Sequence, residues 1–321
     1  MSDYNIQMHD YNGAGYDNLY PKTKSNMVLD GDTNLETKLK YYSNENLLDN
    51  WYFVGGGSQQ GGGQFPINQR GQTNYSGAGY GIDRWKSDVS SVTTTINSDS
   101  IRISVSEIVA HGISQYFESD KIGGRTVTLS VMYKTPVGIV LWAYGSLRAI
   151  LEPSSDWKVG SVTFTAPAGL DYTQWYVAIS CGDSSYVDVK AAKLEYGDTQ
   201  TLANQNANGN WVLNDPSPNY QQELAKCQYF YRKGYFNTTI GSNYDNTKSK
   251  FTLVVENMRA IPAVDIISIE NQGWGDVDIE NYHTEWNDSH GLDRYINYIG
   301  DNREEDAGKN ITLVYIANAD L

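Results

Sequence analysis

Between residues 101 and 197, hydrophobic and polar positions alternate in short runs. "IRISVSE" sets Ile101, Ile103 and Val105 on one side of an extended chain, and "RTVTLSVMY" does the same with Val127, Leu129, Val131 and Tyr133. "SVTFTA" offers Val162 and Phe164, and "WYVAIS" offers Trp175, Val177 and Ile179. A period of two marks a strand with one buried face. "GIVLWAY" is nearly continuous in apolar residues and reads as a more buried strand, while "YVDVKAAKLEYG" closes the series near Gly197. Gly, Pro, Asp and Ser turns separate the runs, which predicts short antiparallel strands in sheets that keep one wet face. No helical stretch of crossover length alternates with them. The pattern therefore argues for a sandwich or jelly roll and against a parallel α/β sheet.

The period changes once. In "NYQQELAKCQYFYRK", Tyr220, Leu224, Cys227 and Tyr231 fall on one helical face. Pro218 stops the chain before it, Asn219 can cap it and Gly234 can end it. "KFTLVVE", "AVDIISIE" and "NITLVYIA" then return to strand periodicity. The preceding stretch "DTQTLANQNANGNWVLNDPSPNY" is rich in Asn, Asp and Pro and reads as a linker. Residues 1–44 show no sustained alternation; extended chain and turns are expected, with a short helix over 33–41 and a need for a partner surface. The expected fold is all-β: an attachment or oligomerisation segment over 1–44, a jelly-roll-like β-sandwich over 45–197, a linker over 198–219, and a second β domain over 220–321 opened by one short helix.

Composition supports a folded chain. Aromatic residues make up 12 %, with 25 Tyr and 30 Gly, a mixture that suits strands and turns rather than disorder. The net charge of -14, with no basic patch interleaved with aromatics, argues against nucleic acid and against anionic membranes. No run approaches about 18 apolar residues, so membrane insertion by a helix is not expected, and the N-terminus lacks the apolar core of a signal peptide. Cys181 and Cys227 are too few to build a disulfide scaffold; Cys227 lies on the apolar stripe of the helix and reads as a buried free thiol. His9, His111, His283 and His290 are scattered without metal spacing.

The candidate chemistry is sparse. The Gly triplets at 55–57 and 61–63 are followed by no Gly-Lys-Ser/Thr and open no helix, so they are no phosphate loop but a surface loop. Asp276, Asp278 and Glu280 alternate and would share one strand face. That arrangement suits calcium or a hydrolase, and a solvated edge accounts for it equally well; no EF-hand spacing is present, and no organic cofactor is expected. Trp85, Trp142 and Trp175 sit in apolar contexts and read as structural. Trp274 and Trp286 have Gly, Asp, Asn or Glu neighbours. With Tyr282, His283 and His290 they form the candidate glycan patch, since a flat ring stacks on a sugar face while polar groups bond its hydroxyls.

"NLLDNWYF" at 46–53, followed by "INQRGQTNYSGAGYGIDRW" at 67–85, resembles a segment of tail fibre and minor structural proteins of phages and prophages of Firmicutes and related gut bacteria. "GRTVTLSV" at 124–131 fits that family's central strand, and "AKLEYG" at 192–197 is similar to the end of its sandwich module. "ELAKCQYFYRK" at 223–233 resembles the family's "ELxKCQRYF" helix, with Tyr229 at a position where a basic residue is expected. "ENMRAIPAVDI" at 256–266 resembles its "PMRxxPTV" strand entry, with Asn257 in place of Pro. "YNGAGYDNLYPKT" at 11–23 is similar to its attachment segment, and the Gly-rich run 55–63 looks like an insertion. The resemblance implies a sandwich of carbohydrate-binding-module type and a non-catalytic receptor-binding protein of a virion tail. Its partners would be a bacterial cell-surface glycan and other tail or baseplate proteins, and its assembly a homotrimer. It implies that Trp51 and Phe53 anchor the chain on the sheet, that Gly77, Gly79 and Gly81 permit tight bends, that Arg84 pairs with a carboxylate, and that Trp85 locks the return. The rivals are a structural tail adaptor that binds no glycan and a polysaccharide depolymerase. The depolymerase needs facing carboxylates and commonly a repeating β-helix, and no such repeat is present.

Overall fold

In the computed structural model the alternating runs form two six-stranded antiparallel sheets packed face to face. The structure describes residues 8–11, 16–19, 29–30, 33–34, 43–56, 65–107, 112–116, 122–144, 147–169, 175–239, 248–255, 258, 263–271, 294–301 and 310–319. Two small hairpins come first, β1 (Met8–Tyr11) with β2 (Tyr16–Leu19) and β3 (Leu29–Asp30) with β4 (Thr33–Asn34). Thr33 and Asn34 are therefore strand, not the start of the expected helix; 35–42 lie outside the described residues.

The sandwich strands are β5 (Asn74–Ser76), β6 (Gly79–Tyr80), β7 (Lys86–Ser87), β8 (Val92–Ile96), β9 (Ile101–Val105), β10 (Ile113–Tyr116), β11 (Thr126–Thr135), β12 (Ile139–Ala143), β13 (Leu147–Leu151), β14 (Ser154–Thr165), β15 (Tyr176–Cys181) and β16 (Tyr186–Tyr196). The first sheet runs β14-β11-β16-β9-β8-β5 and the second β13-β12-β15-β10-β7-β6, a jelly-roll-like arrangement. Ile101, Ile103, Val127, Leu129, Val131, Ile139, Leu141, Val177, Ile179 and Val187 meet between the sheets and are fully or almost fully buried. Each such side chain contributes about 1.5–3 kcal/mol on leaving water.

The expectation of one wet face per sheet fails at the centre. β15 is buried at every position and β11 at nearly every one. On β16, Lys193 and Glu195 point away from the core, yet both are fully buried. Lys193 Nζ donates to Ser43 Oγ at 2.5 Å and pairs with Asp215 at 3.1 Å. Glu195 accepts from the backbone N–H of Thr201 at 2.6 Å, from Asn44 Nδ2 at 3.1 Å and from the Thr201 hydroxyl. Buried charges persist only when paired and hydrogen-bonded, so "AKLEYG" is held by the chain that returns over it. That chain includes the expected linker. Residues 198–219 carry a hairpin, β17 (Ala203–Gln205) with β18 (Trp211–Leu213), and Leu202 and Ala203 enter the sandwich core.

Residues 46–53 lie along β16 beyond the end of β9. Leu47 N–H donates to Leu194 O at 2.8 Å, Ala192 N–H to Trp51 O at 3.1 Å, and Phe53 N–H to Lys190 O at 2.8 Å. Leu48, Trp51 and Phe53 insert into the core. The opening motif thus completes the sheet edge, where backbone groups would otherwise stay unpaired.

Helix α1 (Tyr220–Gln228) is capped by Asn219, whose side chain accepts from Gln222 N–H at 3.1 Å. It ends at Gln228, not at Gly234, which lies inside β19 (Tyr231–Thr239). Cys227, Tyr220 and Leu224 pack against Phe65, Ile67 and Tyr52, and both cysteines are free and buried. The remaining strands are β20 (Lys248–Val255), β21 (Ala263–Asn271), β22 (Arg294–Asp301) and β23 (Asn310–Asn318), paired as β19-β23-β21 and β20-β22. Among the described residues no helix is long and apolar enough to cross a membrane.

A buried polar network fixes α1 and the start of β19 to the sandwich. Asn50 and Arg84 both have left-handed backbones, at φ 51 and φ 72. Such strain persists only where the surroundings over-determine it. Asn50 Nδ2 donates to Ile67 O and Asp83 O, both at 2.8 Å, and its backbone N–H donates to the buried Glu223 carboxylate of α1. Arg84 binds Asp49 at 3.1 Å, donates to Tyr116 O at 2.8 Å and stacks 3.4 Å over the Phe230 ring. Gly77 and Gly79, at φ 93 and φ 128, turn the chain between these anchors and so deliver Tyr80 and Lys86 to the second sheet.

Candidate functional site

The sequence candidates Trp274, Tyr282, His283, Trp286 and His290, and the acidic set Asp276, Asp278 and Glu280, lie outside the described residues, as does 57–64 of the Gly-rich run. Among the described residues no group of three or more His, Cys, Asp and Glu could hold a metal ion.

The described site is the outer face of the second sheet. Ile113, Ile139, Leu141, Val177 and Ile179 point into the core, so their strand neighbours Ser114, Val140, Trp142, Tyr176, Ala178 and Ser180 point outward. Register places one outward residue of every strand in a single row: Tyr80 faces Lys86, Lys86 faces Ser114, Ser114 faces Ala178, Ala178 faces Trp142, and Trp142 faces Arg148. At the usual strand spacing, Lys86 and Arg148 stand about 19 Å apart. Trp85 and Trp175 are core residues, as expected. Trp142 is not: it is half-exposed on this outer face, because alternation along β12 turns Leu141 and Ala143 inward.

Aromatic groups surround a floor of small ones. Tyr116 and Tyr176 face each other across β10 and β15, with ring centroids 5.2 Å apart. Lys86 Nζ lies 4.3 Å from the Tyr116 ring and 5.9 Å from that of Tyr80, and pairs with Asp88 at 3.3 Å. The Tyr116 hydroxyl donates to Asp88 at 3.0 Å. Ser114 and Ala178 lie between these groups and Trp142, Ser180 lies opposite Val140, and all three are fully buried. The Ser114 and Ser180 hydroxyls find no hydrogen-bond partner among the described residues. Buried hydroxyls without partners are uncommon; these two are closed to solvent, so the groups of this face that a ligand can touch are the flanking rings and the charged side chains at its ends.

Burial, with Asp88 nearby, pushes the Tyr116 and Tyr176 phenols above their ordinary value of 10.0, and burial carries Tyr75 up to about 12. Burial likewise pushes the Cys227 thiol well above 9.0. These groups hold protons in the folded state that the unfolded chain releases. Their stabilisation is therefore full below the unfolded values and is lost as pH rises through the folded ones. The urea midpoint is expected to fall progressively above about pH 9–10; a midpoint that stays level or rises there contradicts this. Because Tyr116 and Tyr176 stay neutral at pH 7, the face offers phenol hydroxyls and ring surfaces, not phenolates.

No family model matches the chain, and no curated protein matches it. Solved structures do. The tandem CBM22-1–CBM22-2 domains of Xyn10C from Paenibacillus barcinonensis are 11 % identical over 87 % of this chain and 91 % of theirs, with a TM-score of 0.29. The CBM22-1 xylan-binding domain of that protein is 10 % identical over 49 % of this chain and 98 % of its own, also at 0.29. A CBM4 structure is 14 % identical over 41 % of this chain and 93 % of its own, at 0.28. Likeness at these scores carries no argument about ligand or activity.

Proposed function

We propose that this chain is a non-catalytic receptor-binding protein of a phage tail fibre or baseplate, which recognises a host cell-surface glycan through the outer face of the second sheet. The observation that carries the glycan reading is the row from Tyr80 to Arg148. The partly exposed rings of Tyr80, Tyr116 and Trp142 and the exposed Arg148 stand along one face over a closed floor of small residues, which suits stacking on a sugar with hydrogen bonds from the rim. The tail placement rests on the sequence resemblance of 46–53, 67–85 and 223–233. In this reading the chain works as a homotrimer among other tail proteins, and several weak sites add up to firm attachment.

The test is binding of the purified chain to intact cells and isolated cell-wall glycans from a panel of hosts, beside a Trp142→Ala variant. The expected result is binding by the parent and about tenfold weaker binding by a variant with an unchanged melting midpoint, with the glycan recovered uncut. Absence of binding across the panel would replace this reading with the structural adaptor. Cleaved glycan would restore the depolymerase.

A further inference from the structure

We infer that the glycan bound by this face carries an anionic group, carboxylate or phosphate, and that Arg148 reads it. The inference rests on the glycan reading above. The two ends of the row differ. At one end the cation is already neutralised, because Lys86 pairs with Asp88 at 3.3 Å and packs on the Tyr116 ring. That end is left with hydroxyl and carboxylate oxygens that suit neutral sugar hydroxyls. At the other end Arg148 is exposed, and its guanidinium sits 5.7 Å over the Trp142 ring. Among the described residues no carboxylate lies within ion-pair distance of it, in a chain that has 38 acidic residues against 24 Lys and Arg. An arginine held on a ring face keeps its planar donor fork in a fixed orientation, and that fork matches carboxylate and phosphate oxygens in pairs. Since the protein as a whole repels anions, an acidic glycan would be retained by this local group, not by the global field.

The probe is a cell-wall glycan fraction that the parent protein binds, used untreated, after chemical reduction of its carboxylates to alcohols, and after removal of its phosphates. Binding is measured for the parent, Arg148→Ala and Arg148→Lys. The expected result is that one treatment weakens binding to the parent about tenfold, identifying which anion is read. Arg148→Ala should bind treated and untreated glycan alike at the weakened level, and Arg148→Lys should fall between. If the parent binds all three preparations equally, or if Arg148→Ala keeps the parent's preference, the inference is overturned while the glycan reading stands. If no fraction from any host binds, the glycan reading falls, and the inference falls with it.

Discussion

Asp83→Ala is expected to lower stability by about 3–5 kcal/mol. Asp83 is fully buried. Its carboxylate accepts from the backbone N–H of Gln69 at 3.1 Å, from Gln69 Nε2 at 2.9 Å and from Arg70 at 2.8 Å. Removing it takes this carboxylate from a guanidinium that is only 12 % exposed, and breaking a buried pair by removing one partner is costly. The damage extends beyond the sandwich, because Arg70 lies 3.7 Å over the Tyr231 ring and Gln69 Nε2 donates to Tyr231 O at 2.7 Å. Tyr231 begins β19, so losing Asp83 loosens the junction with α1 as well. Urea unfolding of the full chain measures this. Asp83→Asn, which keeps an acceptor oxygen, is expected to lose less. A cost under about 1 kcal/mol, the level of a surface ion pair, would show that water already solvates the network.

Trp85→Ala is expected to cost a similar 3–5 kcal/mol for a different reason. Trp85 is 1 % exposed, its ring edge packs on Phe53 at 5.7 Å between centroids, and its indole N–H donates to Asn50 O at 3.0 Å. Truncation leaves a cavity and an unpaired buried carbonyl. Trp85→Phe keeps much of the volume but loses the donor, so about 1–3 kcal/mol is expected. Asp83 and Trp85 are two residues apart in one turn, and Asn50 holds the backbone carbonyl of the first and the indole of the second; a backbone shift caused by either variant reaches the other site, so the double variant should lose less than the sum of the two single losses. Additive losses would mean that the two residues act independently, against the shared network described above.

The strands with strong apolar alternation, such as Ile101–Val105 and Thr126–Thr135, were legible because one face is continuously buried. Val92–Ile96, Ile113–Tyr116 and Leu147–Leu151 carry a weaker signal: their sequences VTTTI, ISQY and LRAIL dilute the apolar pattern with Thr, Ser, Gln and Arg. The helix was legible up to its end. Tyr231 continues the helical spacing, but the chain has turned by Tyr229 and is strand at Tyr231. Residues 198–219 read as a linker by composition, since nothing local reports that Leu202 and Ala203 fold back into the core or that Asp215 meets Lys193. Cys227 as a buried thiol is legible from the helical stripe it shares with Tyr220 and Leu224, and Arg84 as a carboxylate partner from the resemblance of 67–85.

The described site was hidden for a related reason. Tyr80, Lys86, Ser114, Ala178, Trp142 and Arg148 become neighbours only through the register of strands drawn from across the sandwich. Trp142 in "GIVLWAY" looked like core because its neighbours are apolar, while the alternation that sends it outward depends on which of them the sheet buries. Local composition favoured Trp274 and Trp286 instead, since their polar neighbours announce exposure.

The central claim is the location of the glycan, and a crystal structure of the chain with a bound host oligosaccharide tests it most directly. The account predicts a sugar ring on Trp142, further sugars toward Tyr116 and Tyr80, and an acidic group at Arg148. A sugar seated against residues 274–290, with the outer face of the second sheet left empty, would contradict it.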